Sequence, residues 1–169
     1  MRGKTKFIEI SSCGFVEAIV ISSDLKVRYE AKVDFDGDLS SYGITKGVFI
    51  NSVAKEVYAP VAMWIEALDL VLKRLKDNGA ALSKVRGISG AGQQHGSVFW
   101  SERGMEILSL LNSSQPLVEQ LSPEAFSHPW SPNWQDGSTQ MECDDFDVAF
   151  GTEDKLAYIT GSKAHHVSA

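Results

Sequence analysis

From residue 27 to residue 35 the side chains alternate without a break: Val27, Tyr29, Ala31, Val33 and Phe35 are apolar, while Arg28, Glu30, Lys32 and Asp34 are charged. Successive side chains of an extended strand point to opposite faces, so this period of two places one face in a core and leaves the other in water. The chain must therefore build a sheet. Residues 6–10 and 16–21, rich in Val, Ile and Phe, supply neighbouring strands, and Ser22-Ser23-Asp24 forms a turn, which together predict an antiparallel meander.

Further on the period changes. Between residues 60 and 78, Met63, Ile65, Leu68, Val71, Leu72 and Leu75 recur at helical spacing, Pro60 suits a first turn, and Gly79 follows the end. Lys73, Arg74 and Lys76 fall in the last turns, where the helix dipole favours cations. Residues 36–47, rich in Gly, Asp and Ser, read as an extended loop. Residues 85–90 and 97–100 read as short strands, and strand, helix, strand implies a parallel crossover. Helices are expected over residues 138–146 and 153–159, the second stopped by Gly161. The class is α/β, a mixed sheet flanked by helices, and the 169 residues fit one domain.

Charge narrows the partners. The net charge of −6 and a pI near 5.2 argue against nucleic acid or an anionic membrane surface, which need clustered Lys and Arg. A small neutral ligand fits better. Cys13 and Cys143 stand far apart without metal-site spacing, so neither a disulfide framework nor zinc is expected, and a reducing cytoplasm is the expected compartment. No run reaches the length of a membrane span.

Two segments carry the polar chemistry. Gly90-Ala91-Gly92-Gln93-Gln94-His95-Gly96-Ser97 follows an apolar run and packs glycines against two amides and an imidazole. Glycines let a backbone approach a ligand closely, and such side chains match the hydroxyls of a polyol. An equally open reading is a glycine-rich turn whose Gln and His satisfy nearby backbone. In Pro132-Asn133-Trp134-Gln135-Asp136-Gly137-Ser138-Thr139 an indole face can cover the C–H face of a sugar, with a carboxylate beside it for hydroxyls. The competing reading makes Trp134 a core residue and Asp136 or Ser138 a helix cap. Other signals carry less: Gly3-Lys4-Thr5 lacks the rest of a phosphate loop, Glu142, Asp144, Asp145 and Asp147 read as a solvated helix face, and His165-His166 sits at a terminus expected to fray.

The run Ile88-Ser89-Gly90-Ala91-Gly92-Gln93-Gln94-His95-Gly96-Ser97-Val98-Phe99-Trp100 resembles the sugar-binding strand and loop of the FGGY carbohydrate kinases, in particular their eukaryotic, fungal-like xylulose kinase branch. Residues 59–69, Ser131-Pro132-Asn133-Trp134-Gln135-Asp136 and Ile159-Thr160-Gly161-Ser162-Lys163-Ala164 extend the resemblance on both sides. It implies a ribonuclease H-like domain of the actin/hexokinase-like ATPase type, one of a pair that closes over a cleft. It further implies that His95 and Gln94 bind D-xylulose or a similar ketose, with Trp134 and Asp136 on the same wall.

Departures from the pattern shape the expectation. Relatives carry, after their first strand, an Asp facing the transferred phosphate and magnesium, whereas this chain reads Ile8-Glu9-Ile10-Ser11-Ser12-Cys13. They continue past the counterpart of His166 with Arg-Phe-Thr-Gly, where this chain has Val167-Ser168-Ala169. The second domain, with the nucleotide pocket and the general base, has no counterpart here. The resemblance thus implies ATP and magnesium in full-length relatives and an expectation that this truncated chain binds neither, holds no catalytic residue and supplies only the sugar-binding half. A non-catalytic sugar-binding or regulatory fragment is the alternative, and self-association through the uncovered inter-domain surface is expected of both.

Overall fold

A computed structural model of the chain describes residues 14–92 and 96–166, so the expected strand over residues 6–10 lies outside the described residues. The alternating segment forms β2 (Val27–Asp34), which pairs antiparallel with β1 (Phe15–Ile21), Ala18 opposite Ala31 and Val16 opposite Val33. Val16, Ala18, Val20, Ala31 and Val33 face inward and are at most 6% exposed. Phe35, the last apolar residue of the alternation, leaves the strand and opens a helical turn, α1 (Phe35–Asp38), whose N-terminus is capped by Asp34 accepting from the Gly37 N–H at 2.9 Å. A 3₁₀ turn over Ser40–Tyr42 follows, so the stretch expected as loop carries two short turns.

The predicted long helix is α2 (Val61–Asp77), with Pro60 at its N-cap and Gly79 in the left-handed region just past its end. Met63, Ala67, Val71 and Leu75, one turn apart, are fully buried against β1 and β2. Burying such a stripe is worth about 1.5–3 kcal/mol for each large side chain, which makes this face the principal attachment of helix to sheet. Arg74, on the same helix, grips both carboxylate oxygens of Asp38 at 2.7 and 2.6 Å. That hydrogen bond holds the Asp38 carboxyl below the ordinary carboxylate range. Tyr42 donates to Glu66 at 2.8 Å, tying the 3₁₀ turn to α2. Burial, with Glu66 as acceptor, pushes the Tyr42 hydroxyl well above its ordinary value.

A second sheet, not expected from the sequence, is formed by β3 (Phe49–Asn51), β4 (Glu56–Pro60) and β5 (Trp130–Pro132) in the order β3-β4-β5. Both pairings are antiparallel, with Tyr58 between Phe49 and Pro132. The short helices α3 (Gly104–Ser109) and α4 (Leu117–Leu121) fill the polar stretch before it. α4 is anchored by Asp69 of α2, whose carboxylate accepts from the Leu117 and Val118 N–H groups at 2.6 and 3.3 Å. The C-terminal pair, α5 (Gln140–Phe150) and α6 (Glu153–Thr160), starts two residues later than expected in α5 and ends at Gly161 as expected in α6.

The strands expected at residues 85–90 and 97–100 are not formed, and with them goes the parallel crossover: every strand pairing among the described residues is antiparallel. A strand persists only against a partner, and the described residues place none along residues 85–90, where Ile88 is 72% exposed. The end of the second segment pairs locally instead. Trp100 bridges to Phe126, the Ser127 N–H donates to the Phe99 carbonyl at 2.9 Å, and the Ser101 N–H donates to the Ala125 carbonyl at 2.9 Å.

Candidate functional site

β3, the start of β1, the turns after β2 and the segment after β5 line an open cavity of about 870 Å³, bounded in part by Asn133, Trp134 and Gln135. How the chain presents Trp134 follows from the segment after β5. Pro132 ends the strand, and the next residues fold back along β4. The Asn133 N–H donates to the Val57 carbonyl at 3.1 Å and the Gly137 N–H to the Lys55 carbonyl at 2.9 Å. Asn133, 3% exposed, turns its side chain inward and accepts from the Gln135 N–H at 2.7 Å. Trp134 stands at the apex of this pinned turn and is 49% exposed, which excludes the core reading.

Asp136 has the opposite character. It is 4% exposed, its Oδ1 accepts from the Val57 N–H at 2.9 Å, and its Oδ2 accepts from the Ser138 hydroxyl at 2.6 Å and the Ser138 N–H at 3.4 Å. The cap of α5 is Thr139, without a side-chain hydrogen bond, so neither Asp136 nor Ser138 caps that helix. Asp136 closes the turn below Trp134 and ties it to β4. Tyr58 lies beside this network, its hydroxyl pushed up chiefly by burial while Ser138 pulls the other way.

The cavity is also lined by Asp36, Lys46 and Phe49, which the sequence did not mark out, and by Trp64, which it marked as a core residue rather than a platform. Lys46 and Gly47 occupy positive φ, 54° and 76°, and Gly47 lies against the Phe35 ring, where an added Cβ would come within 2.6 Å of Cδ2. That close approach requires glycine. Asp36 accepts from the Lys46 N–H at 2.7 Å. The result is an open cavity with indole faces, an amide and carboxylates, suited to a ligand with both C–H faces and hydroxyls.

Gln94 and His95 lie outside the described residues, so their place relative to Trp134 is not part of this geometry. On their near side, a Cβ at Gly90 or Gly92 would meet nothing within 4 Å, so packing against the described residues does not demand glycine there. Among the described residues, no group of three or more His, Cys, Asp or Glu is arranged to hold a metal ion. Among the four acidic residues of α5, Glu142, Asp144 and Asp145 are exposed, whereas Asp147 is partly buried with one oxygen, Oδ1, lacking a hydrogen-bond partner among the described residues. His166, expected to fray, accepts at its carbonyl from the Thr139 hydroxyl at 3.1 Å.

The fold is that of the sugar kinases with an actin/hexokinase-like ATPase core. It matches a xyloylose kinase from Brucella ovis with a TM-score of 0.62 and 16% identity, over 96% of this chain and 26% of that one. It also matches the ligand-bound xylulose kinase from Lactobacillus acidophilus with a TM-score of 0.57 and 10% identity, over 91% of this chain and 24% of that one. Sequence is more specific. The chain is 56% identical over 151 residues to the probable D-xylulose kinase A of Aspergillus terreus, covering 89% of this chain and 26% of that protein. It is 55% identical over 151 residues to the D-xylulose kinase A of Aspergillus niger, with the same coverage of 89% and 26%. No family profile matches. Over the matched region the chain is a homologue of the fungal D-xylulose kinases A. It spans about a quarter of the length of the curated relatives it matches, 26% in each case.

Proposed function

We propose that the chain forms the sugar-binding half of a carbohydrate kinase of the xylulose kinase type, as a single unit over residues 1–169, N-terminal in the full-length enzyme. In that enzyme the γ-phosphate of ATP passes, with magnesium, to D-xylulose. The observation that carries this reading is the Trp134 cavity in a chain more than half identical to D-xylulose kinases. Trp134 covers the C–H face of the sugar, Gln94 and His95 bind its hydroxyls, and Asp136 supports the same wall from below.

The 169-residue chain alone turns over no ATP, because phosphoryl transfer depends on positioned base, metal and nucleotide together. The protein works in the cytoplasm on a neutral ketose, with no role for nucleic acid. Its exposed apolar side chains, including Ile88 at 72% and Phe99 at 50% exposure, promote self-association. A coupled ATP-consumption assay with D-xylulose, run beside a full-length relative, tests the catalytic part, and turnover by the isolated chain refutes it. Calorimetric titration with D-xylulose tests the wall. Binding that weakens at least about tenfold in both His95→Ala and Trp134→Ala is the expected result. Binding unchanged in both variants refutes it.

A further inference from the structure

A second, smaller cavity of about 300 Å³ adjoins the first, and Ile50 and Gln135 line both. Its lining differs in kind. Lys55, His166 and Gln140 bound it together with Asn51 and Glu56. Glu56 is occupied, accepting from the Asn51 amide at 3.0 Å. Lys55 forms no ion pair among the described residues. Its backbone is nonetheless fixed, with φ at 58° and its carbonyl bonded to the Gly137 N–H. His166 is fixed by its bond from Thr139, and its ring lies 4.0 Å from where a Cβ on Gly137 would stand. Gly137 thus sits between the lysine turn and the imidazole.

Charge divides between the two spaces. In the larger cavity Asp34 and Asp36 outnumber one cation, Lys46, whereas in the smaller one Lys55 is matched by one carboxylate, Glu56, already engaged by Asn51, with the His166 ring and the Gln140 amide beside them. An anionic group is repelled from the first, whereas in the second it meets the Lys55 ammonium and the donors of the His166 ring and the Gln140 amide.

We propose that the smaller cavity is an oxyanion subsite, taking the phosphate or carboxylate terminus of a short sugar whose carbon chain lies along Trp134, with Gln135 at the junction. The proposal rests on the sugar-wall reading for the ligand's carbon chain, while the anion pocket stands on Lys55 and His166 alone. It makes the cavity pair a reader of charged sugars as well as neutral ones. The phosphorylated product of a sugar kinase has this chemistry, and so does a sugar acid.

Calorimetric titrations of the full chain with inorganic phosphate, D-xylulose, D-xylulose 5-phosphate and D-gluconate test it. The sugar phosphate is expected to bind at least about tenfold more tightly than D-xylulose, the gain of one charge-assisted contact. A Lys55→Met, His166→Gln double variant should lose that gain and keep wild-type affinity for D-xylulose. Lys55→Arg, which preserves the charge, should retain most of the gain. If the double variant melts early, the single Lys55→Gln variant reads the same loss. Equal affinity for D-xylulose and its phosphate, or a gain that survives in the variants, overturns the proposal. Phosphate binding that depends on Lys55 without any D-xylulose binding would sink the sugar-wall reading and leave the anion pocket standing. Tighter gluconate than sugar-phosphate binding identifies a carboxylate as the ligand's terminus, and the reverse order identifies a phosphate.

Discussion

Replacing Asp136 separates a residue that touches sugar from one that holds the wall in place. The carboxylate is 4% exposed and serves the Val57 N–H at 2.9 Å and the Ser138 hydroxyl at 2.6 Å. Asp136→Ala leaves the Val57 N–H buried without an acceptor, at about 1–3 kcal/mol, and removes a charge-assisted bond of similar size. The sum is near 3 kcal/mol, which at roughly 2–4 °C per kcal/mol for a chain of this size lowers the melting temperature by about 6–12 °C. Asp136→Asn keeps an oxygen for Val57, and the Ser138 hydroxyl can rotate to accept from the new amide, so the loss is about 1 kcal/mol. Thermal melts followed by circular dichroism, paired with D-xylulose titrations, read both effects. An alanine variant melting within about 2 °C of the wild type refutes the structural reasoning. An asparagine variant that folds normally but no longer binds sugar shows direct contact instead.

Three further outcomes follow from the packing. Met63→Ala, at a position with no exposure, opens a cavity between α2 and the β1–β2 sheet and lowers stability by about 2–5 kcal/mol, read as a lower denaturation midpoint at unchanged slope. Because Arg74 holds the folded Asp38 carboxyl below its ordinary range, that pair contributes stability above about pH 3.9 that disappears as pH falls through the folded value. Acid melts of Arg74→Met should lack this component, and an unchanged acid limb argues against it. Gly47→Ala combines a positive φ of 76° with a contact of 2.6 Å to Phe35, so it destabilises by about 1–3 kcal/mol, whereas Gly43→Ala, with nothing within 4 Å of its Cβ position, bears only the backbone strain.

The first sheet and its helix were legible because each writes its period along many residues: the alternation through Ala31 and Val33, and the spacing of Met63, Val71 and Leu75 by whole helical turns. Their tertiary partners only confirm what the pattern demands. β3 and β4 were not legible, since Phe49–Asn51 is three residues long and Glu56–Pro60 runs straight into α2, with proline serving as strand end and N-cap at once. Residues 85–90 misled in the other direction, because apolar composition predicts a strand but cannot supply its neighbour. In the site, Trp134 and Asp136 were visible as a polar and aromatic motif. Which faces the cavity and which is buried depends on the hydrogen bonds to Val57, 79 residues away from Asp136. Two further lining residues, Asp36 and Lys46, come from turn-forming composition that reads as an ordinary loop.

The helices differ in how firmly they are held. α2 buries five residues, whereas α5 buries only Cys143 and α6 only Leu156. Amide hydrogens of α2 therefore exchange only when the whole molecule unfolds, while those of α5 and α6 exchange through a smaller and cheaper opening. Gln140 and His166, which border the smaller cavity, belong to this looser end of the chain. A ligand seated there has to hold that opening shut, and its arrival would be written as slowed exchange in α5 while α2 stays silent.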